Sequence, residues 1–300
     1  MPVYMKVYFQ LILTALFWGG TFIAGKSVTR NLGPFSIAFL RFATASMFLI
    51  LVTWKTERKF PPLRKRQFLF VILLGMTGIF TYNVMFFKGL KIIEASRAAL
   101  VIATCPVFIT IASTLLLKER INISRATGIV ISVCGAIVVI SKGDISQIFE
   151  GNLGRGELYI FCCVLSWVAY SLIGKAVMND LSPLVSVSYS SVVGAVALAV
   201  PAYFEGVFDN IGNISLPDWV SILYLSIFGT VIGFVWYYKG IQRIGPTKAG
   251  LFINLVPIFA ILLSFLILRE TITISLLIGA VLVISGVYIT NTGQGTKAHK

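Results

Sequence analysis

Along its length the chain alternates apolar runs of about 17 to 24 residues with short polar breaks, the length a helix needs to cross a hydrocarbon core of roughly 30 Å. The runs fall at 8–28, 34–54, 68–89, 96–117, 125–141, 157–178, 183–204, 218–239, 247–268 and 273–291. This pattern predicts an all-α membrane protein of ten transmembrane helices. The breaks carry turn chemistry, as in Asn31-Leu32-Gly33-Pro34, Pro61-Pro62, Gly151 to Gly156, Ser182-Pro183 and Gly245-Pro246. None is long enough for a soluble domain.

The runs are not independent. Ser96 to Glu119 returns 151 positions later as Thr247 to Glu270, pairing Ala98 with Ala249, Pro106 with Pro257, Phe108 with Phe259, Ser113 with Ser264 and Glu119 with Glu270. Arg97 with Lys248 and Lys118 with Arg269 keep the charge. Earlier residues match at an offset of 149, including Trp18 with Trp167, Lys26 with Lys175 and Pro34 with Pro183. Apolar composition explains matched leucines but not matched prolines and charges. A unit of five spans is an odd number, so the second copy enters the membrane upside down. The expected organisation is two inverted five-helix repeats, 1–145 and 152–292, with a polar tail at 293–300.

Composition supports the bilayer. The chain is 57% hydrophobic and 12% charged with a mean hydropathy of +0.92, too little polar surface for a water-soluble globule of this size. Its net charge of +14 is spread in short clusters between apolar runs rather than gathered in a basic domain, which argues against nucleic acid as a partner. With a cytoplasmic N-terminus, sixteen Lys and Arg fall on the inner side and eight on the outer, so both termini are expected to be cytoplasmic. The first run, led by Lys6 alone and lacking a small-residue cleavage site, reads as a retained span. Cys105, Cys134, Cys162 and Cys163 lie inside apolar runs and His299 in the tail, so no metal site is expected.

The stretch F-W-G-G-T-F-I-A-G-K at Phe17 to Lys26, the run from Pro34 to Arg41-Phe42, K-G-L at Lys88 to Leu90 leading into S-R-A-A-L, and P-V-F followed by L-L-L-K-E in the fourth span resemble the drug/metabolite transporter superfamily. Within it the chain is most similar to the EamA-type ten-span exporters. That resemblance covers nearly the whole chain and implies a secondary carrier for small metabolites. It also implies that spans one to four of each half surround a central cavity, with spans five and ten outside. Arg97, opposite Lys248, departs from the small or amide residue of many relatives and leaves the substrate class open.

Candidate binding residues come from polar and aromatic groups at mid-span. Trp18 and Trp167 sit too deep for an interfacial belt, and so either line a cavity or pack helices. Tyr82, Tyr170, Trp236 and Tyr237 add aromatic surface that either forms a pocket or fills a core. Asn83 and Asn254 are amides that must bond a neighbouring helix or a substrate, because an unpaired polar group there costs several kcal/mol. Arg41 is the one cation well inside a span; it either bonds carbonyls of a neighbouring helix or holds an anionic group of the substrate. Pro106 and Pro257 each remove a mid-helix donor and suit gating kinks. Glu119 and Glu270, beside Lys118 and Arg269, form solvated ion pairs at the membrane edge or serve coupling.

An enzyme is not expected, since no His, Asp or Glu falls near the centre of a span and no phosphate-binding loop is present. The expected function is secondary export of small amphipathic metabolites, amino acids or related compounds, by alternating access in a bacterial plasma membrane. Its partners are a small-molecule substrate and the lipid bilayer, with no cofactor; the oligomeric state is left open. A multidrug or nucleotide-sugar-like carrier, an ion channel and a non-transporting scaffold are the alternatives.

Overall fold

The computed structural model describes residues 3–58, 62–117, 123–140, 154–178, 180–244, 249–250 and 252–292, and all their regular structure is helical. The elements are α1 (Val3–Val28), α2 (Pro34–Glu57), α3 (Lys65–Ile92), α4 (Ala95–Ile102), α5 (Cys105–Leu117), α6 (Ile123–Ile140), α7 (Arg155–Val177), α8 (Pro183–Phe204), α9 (Leu216–Ile244), α10 (Phe252–Leu268) and α11 (Ile274–Thr292). Seven segments are long and apolar enough to cross a membrane: α1, α2, α3, the broken α4–α5 helix, α7, α8 and α9. Shorter apolar helices at Ala126–Val139, Phe252–Leu268 and Ile274–Gly286 occupy the positions of the fifth, ninth and tenth expected spans. Apolar side chains such as Met47, Leu51, Trp54, Val200, Leu266 and Val281 point outward, as lipid contact requires.

Local chemistry sets the boundaries. Ser182 and Ser215 each accept an amide hydrogen bond at 3.3 Å, from Val185 and Asp218, and cap the starts of α8 and α9. Pro106 divides the fourth span: α4 stops at Ile102, Ala103 and Thr104 turn, and the proline enters α5 at its second position, where a missing donor costs nothing. Pro257 likewise sits in the first turn after a 3₁₀ segment, Phe252–Asn254. Both prolines thus mark breaks.

A different irregularity was not expected. α3 contains a π turn at Gly75–Thr81 and α9 one at Leu225–Ile232, and the two end at positions 151 apart. Each widens the helix locally and releases backbone carbonyls from the regular i→i−4 ladder.

Matched segments of the two halves run head to tail. The Ser182 hydroxyl at the start of α8 donates to Glu57 Oε1 at the end of α2 at 2.9 Å. At the other end, Glu205, just past α8, accepts from the Ser36 amide at 2.7 Å and its hydroxyl at 2.8 Å, at the start of α2. α6 and α11 are antiparallel too, with Gly135 against Leu282 and Gly286 against Ser132. They pack through small clusters of their own beside the main core. On the line between the halves, Trp18 and Trp167 meet edge-on with ring centroids 5.4 Å apart.

Glu270 corrects the ion-pair expectation. Its carboxylate accepts from the Ala95 amide at 2.9 Å, the Ser96 amide at 3.2 Å and the Ser96 hydroxyl at 2.8 Å, so it caps α4 rather than pairing with Arg269. The reason is geometric: the chain turns at Arg269, with a left-handed φ of 56°, and brings Glu270 to the start of α4. Glu119 and Lys118 lie outside the described residues.

Candidate functional site

Where α1, α2, α3, α4, α7, α9 and α10 converge they enclose a cavity with about 470 Å³ of atom-free space counted to its mouths, lined mainly by Trp18, Phe22, Arg41, Tyr82, Trp167 and Phe234. Gly20 allows the close approach of α9 to α1: a Cβ there would collide with the Tyr224 ring, whose hydroxyl donates to the Phe17 carbonyl at 3.0 Å. A smaller cleft, lined by Leu11, Thr14 and Tyr237, shares Trp18 and Ile253 with the cavity and follows α1 toward its N-terminus. Near the opposite end of α1, Lys26 donates to the carbonyls of Leu90 and Ile93, both at 2.7 Å.

The walls are aromatic. Trp167 packs on Trp18, Tyr82 at 5.3 Å and Phe234 at 5.5 Å, and Tyr82 stacks on Phe86 at 5.9 Å. Trp18 is fixed by its indole N–H, which donates to the Gly229 carbonyl at 3.0 Å, within the π turn of α9. Faces and edges of these rings suit an apolar or aromatic body and, through their quadrupoles, a cationic group.

Arg41 supplies the one charge in the lining among the described residues. It is 3% exposed, its Nε donates to the Thr230 hydroxyl at 2.9 Å and its Nη1 to Asn83 Oδ1 at 2.9 Å. Those acceptors correct the expected alternative of carbonyls on a neighbouring helix. The backbone carbonyl of Arg41 accepts from Ser226 at 2.9 Å, tying α2 to α9. No carboxylate among the described residues pairs with the guanidinium, and Nη2 lies beside Gly229, where an added Cβ would stand 3.2 Å away.

Other candidates divide. Tyr170 is fully buried behind Trp167 and Phe234, a supporting layer rather than lining. Tyr237 backs Trp18 at 5.1 Å and lines the smaller cleft. Trp236 does not join them: it packs on Phe17 at 6.2 Å, outside the cavity lining, and Phe234 takes its place. Asn254 is buried with its side-chain oxygen unpartnered, while its neighbour Ile253 reaches the cavity. Pro106, Pro257 and Glu270 lie at helix breaks or ends and are not among the lining residues, although Val256 beside Pro257 is. Sequence reasoning missed Thr230, which carries no signal except its place on a π turn, and Thr21, Phe22 and Ile102.

Two segments of the chain, residues 5–141 and 154–292, each match the EamA-like transporter family. The chain belongs to that family. Among similar proteins, the uncharacterized transporter YyaM of Bacillus subtilis is 33% identical over 95% of this chain and 93% of its own length. An uncharacterized transporter of Archaeoglobus fulgidus is 30% identical over 95% of the chain and 98% of its own length. A solved crystal structure, 18% identical, superposes with a TM-score of 0.68 over 98% of the chain and 99% of its own, which establishes shared fold. This EamA-family chain is therefore an integral multi-pass membrane transporter, built as two copies of one helical unit.

Proposed function

We propose that the protein is a ten-span secondary transporter exporting small amphipathic metabolites that bear a carboxylate, amino acids or related compounds, by alternating access around the aromatic cavity. It works in a bacterial plasma membrane with both termini cytoplasmic. The observation that carries this reading is Arg41, a buried guanidinium on the wall of an aromatic chamber, bonded to two neutral side chains and to no carboxylate among the described residues. A charge so deep costs about 2.5–3.5 kcal/mol on insertion scales, and a substrate carboxylate offsets that cost through a planar two-point contact. Tyr82, Trp18, Trp167 and Phe234 then hold the apolar body, and an amino group gains from their ring faces. Sugar phosphates and nucleotide sugars, with two or more negative charges, would leave charge uncompensated against the one lining cation among the described residues.

Purified protein in liposomes, offered amino acids, cationic drugs and nucleotide sugars, tests the reading. Selective uptake of carboxylate-bearing amino acids is expected; preferential nucleotide-sugar transport overturns it. Arg41→Lys should insert normally and lose about tenfold or more in affinity for the carboxylate cargo, since a charge-assisted hydrogen bond is worth about 1.5–3 kcal/mol. Neutral analogues should change little. Equal losses for both would move Arg41 to a structural role.

A further inference from the structure

Each of the two groups that hold Arg41 is itself held by a π turn. In α3, Asn83 Nδ2 donates to the Gly78 carbonyl at 3.2 Å and the Ile79 carbonyl at 2.8 Å, both inside the π turn at Gly75–Thr81. In α9, the Thr230 hydroxyl donates to the Leu225 carbonyl at 3.1 Å, inside the π turn at Leu225–Ile232. The amide end that faces two carbonyls must be the donor, so only its oxygen is left for Arg41. The single proton of Thr230 is likewise spent on Leu225, and its lone pairs receive Arg41 Nε. Each position thus presents an uncharged acceptor to Arg41 while its own donor is held by the π turn of its helix.

We propose that Asn83, together with Thr230, determines the charge selectivity of the cavity: both fix the Arg41 fork through neutral oxygens, so its positive charge stays available to a ligand's carboxylate. This rests on the reading of Arg41 as the anion-binding group. Asn83 and Thr230 are positioning residues, absent from the cavity lining themselves, and both are fully buried. An aspartate at either place would give Arg41 an internal counter-ion and make the chamber neutral. The preference for anions would then vanish while the aromatic walls remained.

The full-length protein, purified in detergent, is titrated with 3-phenylpropionate, 3-phenyl-1-propanol and 3-phenylpropylamine, following the intrinsic tryptophan fluorescence, to which Trp18 and Trp167 in the wall contribute. The wild type should bind the acid at least about tenfold more tightly than the alcohol, the difference made by one charge-assisted hydrogen bond. Asn83→Asp and Thr230→Asp should each bind acid and alcohol alike and gain affinity for the amine, whereas Asn83→Ser and Thr230→Ser should retain the preference for the acid. An aspartate variant that keeps the wild-type preference overturns the inference and leaves the role of Arg41 standing. Equal binding of acid and alcohol by the wild type overturns the Arg41 reading itself. Failure of both aspartate variants to insert, where both serine variants accumulate, would show that the two positions serve folding rather than selectivity and also overturns it.

Discussion

Arg41 reaches its acceptors across 42 and 189 positions of chain, on two different helices from two different halves. Its depth was legible from Pro34 onward, because 1.5 Å per residue carries it about 10 Å into the span. Its partners were not, since no periodicity links α2 to Thr230. Trp236 was misread for a related reason: it and Tyr237 are neighbours about 100° apart around a helix, so they do not face one chamber together. The other buried cation among the described residues, Arg97, solves its desolvation differently, with Nη1 3.0 Å from Glu157 and Nε donating to the Val139 carbonyl at 3.0 Å. Breaking such a pair from one side costs about 3–5 kcal/mol. Glu157→Ala should therefore lower the thermal unfolding midpoint of the purified protein sharply. The double variant Arg97→Gln/Glu157→Gln should regain most of the loss. A double variant as unstable as the single one would show that the pair is not where the energy lies.

Among the elements, most boundaries follow from turn chemistry that a reader of the chain can see, as the serine caps of α8 and α9 and the break at Pro106 illustrate. The π turns could not be seen. Gly-Met-Thr-Gly-Ile-Phe-Thr and Leu-Ser-Ile-Phe-Gly-Thr-Val-Ile share no special residue beyond small ones that permit widening; side-chain bonds from Asn83 and Thr230 to carbonyls of their own helices stabilise it. Carboxylate caps between elements were equally hidden, because Glu270 meets Ser96 at a separation of 174 positions. Its loss should cost about 0.5–2 kcal/mol, the usual worth of a cap. Glu270→Ala is thus expected to lower the unfolding midpoint measurably, and Arg269→Ala to leave it nearly unchanged. Similar losses in both would restore the ion-pair reading.

At the scale of the whole molecule the duplication was legible, because punctuation repeats at offsets of 149 and 151 and the charge clusters alternate with it. The reversed contacts Glu57 to Ser182 and Glu205 to Ser36 fix α2 and α8 antiparallel, so loops at equivalent places in the halves open on opposite faces. Reporter domains fused at residues 60 and 210 should report opposite sides of the membrane, the first cytoplasmic. The same side for both would remove the inverted topology.

The duplication is not symmetric at its centre. Carried to the other half, Arg41 becomes Ser190, Asn83 becomes Phe234 and Thr230 becomes Ile79, a set with no cation and no amide. Two copies of the first half, assembled as a dual-topology homodimer, would bring two guanidiniums toward one chamber; two copies of the second would bring none. With the charge in one half and the aromatic wall shared by both, a single reading frame is more than a convenience of expression. It guarantees one charge per chamber, a stoichiometry that separate genes would have to keep by regulation.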